Sequence, residues 1–163
     1  MEISLADLWD AYPDELLVCE AQFRGFGRKE SFAGPCMTVK AHEDHRTLME
    51  LAATPGQGRV LVVDAGGSLR VASMGDRIAA AAAKNGWVGA VIYGAIRDTA
   101  GIDALDFGVK ALGTTARRGE KPIGGLIGLP LSFAGLTITP GDWVYADRDA
   151  VAASARELKL PKS

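Results

Sequence analysis

Cysteine is scarce in this chain: Cys19 and Cys36 are the only two among 163 residues, and they form no CxxC pair. That pattern excludes a disulfide framework and a zinc ribbon, and leaves two buried free thiols in a reducing compartment as the reading. Histidine is as rare, with only His42 and His45. No uncharged apolar run approaches the roughly 18 residues of a membrane helix. The opening MEISLADLWDAYPDE has early acids and no apolar h-region, so a soluble cytoplasmic protein without membrane contact is expected. Positive charge has no surplus, because 18 Lys and Arg stand against 20 Asp and Glu for a formal net charge of -2. Without a basic cluster, direct binding of nucleic acid is not expected.

What is present describes a globular chain. Hydrophobic residues make up 48% and charged residues 23%, and the length leaves no room for a second large domain beside a catalytic one. Glycine, at 20 of 163 residues, exceeds the average usage of roughly 7% and implies many tight turns or close backbone approaches.

The pattern predicts a short helix over 4 to 11, with Ser4 as N-cap, Leu5, Leu8 and Trp9 at helical spacing, and Pro13 as the stop. Two apolar runs, Leu16 to Cys19 and Pro35 to Val39, read as strands with a loop at Phe23 to Arg28 between them. A helix is expected from about Asp44 to Ala53, ended by Thr54-Pro55-Gly56. Arg59 to Asp64 (RVLVVD) has the length and content of a strand buried on both faces, and Gly66-Gly67-Ser68 turns the chain. Gly75 to Lys84 is alanine-rich and helical, with Asn85-Gly86 as its stop, and Trp87 to Tyr93 is a second buried strand. Together these make a β-α-β unit with an expected right-handed crossover. Beyond it lie a helical stretch near Ile102 to Phe107, a strand at Val109 to Leu112, and a polar loop from Gly113 to Gly125 that suits a mobile lid or an interface arm. Leu129 to Ser154 reads as an antiparallel meander, and 156 to 163 as a frayed tail.

The β-α-β geometry brings chemistry together. The helix starts near the carboxyl edge of the first strand, and the loop after the second strand emerges on that same edge. Gly75-Asp76-Arg77-Ile78 and Arg97-Asp98 are therefore expected as neighbours. Free amides and the positive end of a helix dipole suit a carboxylate or phosphate, and a guanidinium adds a fork for the same anion. Asp76 and Asp98 add two carboxylates able to hold a hard divalent cation directly or through water.

Asp76, 20 intervening residues and then Arg97-Asp98 form a D-x20-R-D arrangement inside GDRIAAAAAKNGWVGAVIYGAIRD. With GRVLVVDAGGSLR at 58 to 70, IDALDFGVKALGT at 102 to 114 and FAGLTITPGDWVYAD at 133 to 147, the chain resembles the RraA family over nearly its whole length. That family takes its name from regulators of ribonuclease E activity and includes metal-dependent 4-hydroxy-4-methyl-2-oxoglutarate aldolases. The resemblance implies an α/β architecture, a single-domain swivelling β/β/α fold spanning 1 to 163, assembled as a homotrimer or a dimer of trimers with sites at subunit boundaries. It implies that Gly75 to Ile78 and Arg97 hold the carboxylate and keto group of a 2-oxo acid, that Asp98 ligates Mg²⁺ or Mn²⁺, and that Asp76 acts through metal-bound water. The implied reactions are cleavage of 4-hydroxy-4-methyl-2-oxoglutarate to two pyruvates and decarboxylation of oxaloacetate. Both pass through the pyruvate enolate. The resemblance also implies RNase E as a protein partner, an alternative that needs a surface and no catalysis. One departure stands out: family members with aldolase activity often carry an acid three positions after the Arg-Asp aspartate, where this chain has Gly101.

Other signals are weaker. His42-Glu43-Asp44-His45 lacks the HExxH spacing and reads as a solvated helix start. No His or Glu is obviously placed as a base for the C4 hydroxyl, which leaves a metal-associated water in that role. Val62 to Gly67 faintly resembles a glycine-rich nucleotide or S-adenosylmethionine turn, without the helix that should follow it directly.

Overall fold

In the computed structural model, which describes residues 2–119 and 124–162, the chain begins with α1 (Leu5–Ala11), β1 (Leu17–Val18), β2 (Arg24–Phe26), β3 (Phe32–Lys40) and α2 (Arg46–Ala52). It continues through β4 (Val60–Asp64), β5 (Ala72–Met74), α3 (Asp76–Lys84), β6 (Gly89–Ile96), α4 (Thr99–Asp103) and β7 (Gly108–Thr114). Five short strands close it: β8 (Leu126–Ile127), β9 (Leu131–Phe133), β10 (Leu136–Ile138), β11 (Trp143–Ala146) and β12 (Val151–Ser154).

Strand periodicity sets the layers. Successive side chains of a strand point to opposite faces. Leu61 and Val63 of β4 therefore pack with Leu48, Leu51 and Ala52 of α2 and Ile78, Ala79 and Ala82 of α3. Val60 and Val62 face the other way, onto Leu131, Phe133, Leu136, Ile138 and Val144. Helices cover one face of the central sheet and β structure covers the other, as the β/β/α expectation required.

β3 joins the two sheet regions. Its first half, Phe32 to Pro35, pairs antiparallel with β11, and its second half, Cys36 to Lys40, pairs parallel with β4. Pro35, which has no N–H to give a ladder, sits at the handover. The path runs β1-β12-β11-β3-β4-β6-β7-β2, with β5 added to β6 and β8 to β3.

The β-α-β unit is present, with β4 and β6 parallel neighbours from Val60↔Gly89 to Asp64↔Tyr93. Sequence reading missed β5, which takes over as partner of β6 at Ala72↔Ala95 and Met74↔Ile96, beyond the end of β4. Consequently α3 starts from β5 and not from β4. In the β6·β7 ladder the register moves from Ile92↔Ala111 to Ala95↔Gly113, so β6 carries one extra residue just before Arg97.

Several expectations change. Trp9 is 48% exposed, because α1 docks through Leu5 and Leu8 with Tyr12 beyond them. The segment read as a loop at 23 to 28 contains β2, which pairs with β7. The helix expected near 102 to 107 lies earlier, directly after Asp98. The meander resolves into two hairpins, β9–β10 as a separate ribbon and β11–β12 in the main sheet. The tail is not frayed at its start: Leu158 is only 2% exposed, its N–H donates to Tyr145 Oη at 2.7 Å, and Arg156 pairs with Glu15 at 2.8 Å. Cys19 and Cys36 are buried free thiols. Among the described residues no helix is long and apolar enough to cross a membrane.

Candidate active site

The end of β6 and the start of α3 meet as the β-α-β geometry requires. Gly75 is the N-cap of α3, and Arg97 donates its backbone N–H to Met74 O at 3.0 Å. A Cβ on Gly75 would stand 2.9 Å from Asp98 Oδ2 and 3.6 Å from Arg97 Cγ. Glycine is needed here so that the Asp98 carboxylate can lie against the helix start.

Asp98 itself has φ 58° and ψ 42°, in the left-handed region that costs a side-chain-bearing residue about 1 kcal/mol. Although it is the N-cap of α4, its side chain makes no capping bond. It pairs with Arg97 Nε at 3.6 Å. Arg97 also donates from Nη1 to Ala116 O at 3.3 Å, which ties the guanidinium to the chain after β7.

Gly101 lies against the other carboxylate. A Cβ there would fall 2.5 Å from Asp76 Oδ2 and 2.8 Å from Asp76 Cβ. The space in which a side chain at 101 would begin is thus filled by Asp76.

Gly75, Asp76, Arg97 and Asp98 line one cavity of about 570 Å³. Every sequence-derived site residue borders it: Gly75, Asp76, Arg77, Ile78, Arg97 and Asp98. Five further lining residues were missed as site residues: Ala72 and Met74 of β5, with His45, Met49 and Arg118. Nothing in sequence spacing marks them, since β5, α2 and the segment after β7 reach the cavity only through tertiary packing. Three arginines against two aspartates give the cavity a cationic balance suited to an anionic ligand.

The flanking segments are fixed by specific bonds. Ala72 N–H donates to Arg117 O at 2.7 Å, and His45 Nδ1 lies 2.6 Å from Gly119 O. The part of the expected lid running from 113 to 119 is therefore stitched to β5, Arg97 and His45, while 120 to 123 fall outside the described residues. Glu43 and Asp44, read from sequence as a solvated helix start, are 5% and 2% exposed. Glu43 receives a bidentate pair of bonds from Arg70 at 2.7 Å each, and Asp44 accepts from Arg46 N and Thr47 Oγ1 at 3.0 Å. The Gly66-Gly67 turn leads into β5, and its amides already donate to Asp64 Oδ1 and Tyr93 O.

No cluster of three or more His, Cys, Asp or Glu able to hold a metal by themselves occurs among the described residues. The donor set still fits Mg²⁺, which commonly takes one or two carboxylates and completes its shell with waters and substrate oxygens. Asp98, held beside Gly75, and Asp76 provide that set.

Fold and crevice together define an α/β protein with a cationic cavity containing two carboxylates at the carboxyl edge of a parallel sheet. The family model described as RraA-like, Aldolase/RraA, matches residues 4–152, and the chain belongs to this family. A relative from Pseudomonas fluorescens (strain Pf0-1), provisionally named a 4-hydroxy-4-methyl-2-oxoglutarate aldolase, is 48% identical over 156 residues, covering 96% of each chain. Among solved structures, the RNA-processing inhibitor RraA from Thermus thermophilis has a TM-score of 0.92 at 34% identity, covering 98% of this chain and 96% of that one. A structure from Geobacillus kaustophilus HTA426, described as an S-adenosylmethionine: 2-dimethylmenaquinone methyltransferase, has a TM-score of 0.93 at 43% identity, covering 96% of this chain and 97% of that one.

Proposed function

We propose that this protein is a divalent-metal-dependent class II pyruvate aldolase that cleaves 4-hydroxy-4-methyl-2-oxoglutarate to two pyruvates, and that it decarboxylates oxaloacetate through the same pyruvate enolate. One observation carries the reading: the amide end of α3, the Arg97 guanidinium and the Asp98 carboxylate converge on one cavity. The aldolase name borne by relatives such as the Pseudomonas fluorescens protein supports it.

In this reading the amides of Gly75 to Ile78 and the Arg97 fork hold the carboxylate and C2 keto group of the substrate. Arg97 keeps its orientation through its bond to Ala116 O, so little rearrangement is needed as charge moves onto the C2 oxygen. Asp98 would hold the cation directly and Asp76 through water. When bound, the cation supplies a Lewis acid that stabilises negative charge at the keto oxygen.

The test is pyruvate release from both substrates with Mg²⁺, followed by lactate dehydrogenase coupling. Release should vanish with EDTA and fall at least a hundredfold in Arg97→Ala. Rates no higher than the uncatalysed background for both substrates would refute the assignment.

A second reading, a protein-binding inhibitor of RNase E, draws on the full-length likeness to the Thermus inhibitor. It predicts co-purification with an RNase E homologue that Asp98→Ala leaves unchanged. We also propose the trimer or paired-trimer assembly of the family, which the exposed Leu126, Ile127 and Leu129 would suit as contact surface.

A further inference from the structure

Retro-aldol cleavage requires a base for the C4 hydroxyl, and D-x20-R-D supplies none that is free of the proposed metal. The cavity contains a group the motif does not include. His45 borders it together with Asp76, Arg97 and Asp98. It occupies the N-cap of α2, yet its side chain makes no capping bond. The capping work has passed to Asp44, which accepts from Arg46 N. The imidazole is turned instead toward the strap after β7, where Nδ1 lies 2.6 Å from Gly119 O. A carbonyl oxygen only accepts, so Nδ1 carries the proton in this bond. With Nδ1 as the donor, the acceptor nitrogen of the neutral tautomer is Nε2, on the opposite side of the ring. Gly119 is held in turn, since even a Cβ on it would lie 2.3 Å from Glu43 O. The ring is thus oriented by a backbone partner, as a catalytic base is commonly oriented by a third group.

We propose that His45 Nε2 is the general base of the cleavage reaction, an assignment that rests on the aldolase reading. Nε2 takes the proton of the C4 hydroxyl as that oxygen becomes the ketone of the first pyruvate. The C3–C4 bond breaks, and its electron pair passes into the enolate of the second pyruvate. The resulting imidazolium returns the same proton to C3, so the products are two pyruvates and His45 regains its starting state. Oxaloacetate needs no such base. Its C3–C4 bond breaks with loss of carbon dioxide and no proton leaves the substrate, while solvent can protonate the enolate.

This difference supplies the test. His45→Asn and His45→Gln are assayed with Mg²⁺ on 4-hydroxy-4-methyl-2-oxoglutarate and on oxaloacetate, with Arg97→Ala as reference. The expected result is a fall in kcat for cleavage on the order of a hundredfold. Oxaloacetate decarboxylation should stay within about twofold, which also reports an intact fold, and added imidazole should restore part of the cleavage in the variants. Both substrates are dicarboxylates. If His45 merely bound the distal carboxylate, KM would rise for both, and that outcome overturns the proposal. Equal loss of kcat on both substrates, or no loss on either, overturns it as well. A wild-type protein inactive on both removes the aldolase reading itself, whereas a wild-type protein active on both with unaffected His45 variants removes only the base.

Discussion

At the residue scale, the site depends on two positions where backbone and side chain compete for space. Asp98 holds its carboxylate beside Gly75 at the cost of a left-handed backbone. Asp98→Gly should therefore raise unfolding stability by about 1 kcal/mol in denaturant titrations while abolishing metal-dependent pyruvate release. Gly101 is the counterpart on the other carboxylate. Gly101→Ala places a carbon 2.5 Å from Asp76 Oδ2 and 2.8 Å from its Cβ, so Asp76 and the start of α3 must shift; pyruvate release should fall by roughly tenfold to a hundredfold, with a drop of a few degrees in melting temperature. The sequence spacing alone made Asp76, Arg97 and Asp98 legible, because a β-α-β unit fixes which loop ends share an edge. It could not show the positive φ of Asp98 or the contact between Gly101 and Asp76. Those follow from the extra residue in β6 and the early start of α4, both set by packing.

At the element scale, long regular segments were readable and short ones were not. Val60 to Asp64 and the alanine-rich α3 carry enough residues for burial and propensity to speak. β5 has three residues and no periodicity to detect, yet it links the sheet to α3 and anchors Arg117. The C-terminal segment shows the same limit, since charge around Leu158 suggested fraying while a single buried leucine and one tyrosine hold it down. Tyr145→Phe removes the acceptor of the Leu158 amide. It should cost about 1–3 kcal/mol, read as a lower urea midpoint, without altering pyruvate release.

At the scale of the whole molecule, the unbroken apolar runs of the central strands marked both faces as buried, while the unlike layers that cover them were anticipated only through the resemblance to the RraA family. His45, Met49 and Arg118 escaped because α2 and the strap after β7 come to the cavity only once those layers have closed. Interior thiols give a pH signature of the same closure. Burial, reinforced by the nearby Asp142 charge, pushes the Cys36 thiol from 9.0 up to about 12. Its neutral form is favoured in the folded state, so its contribution is full below pH 9.0 and is lost as the pH rises toward about 12. Urea midpoints should fall more steeply over that window in the wild type than in Cys36→Ala.

The shared strand β3 has a dynamic consequence. One uninterrupted strand contributes its first half to the ladder with β11 and its second half to the ladder with β4. Neither region can open locally without stripping part of that strand. Native-state hydrogen exchange should therefore show the amides of Gly34 and Val39 released in a single cooperative event, with equal free energies and equal denaturant slopes.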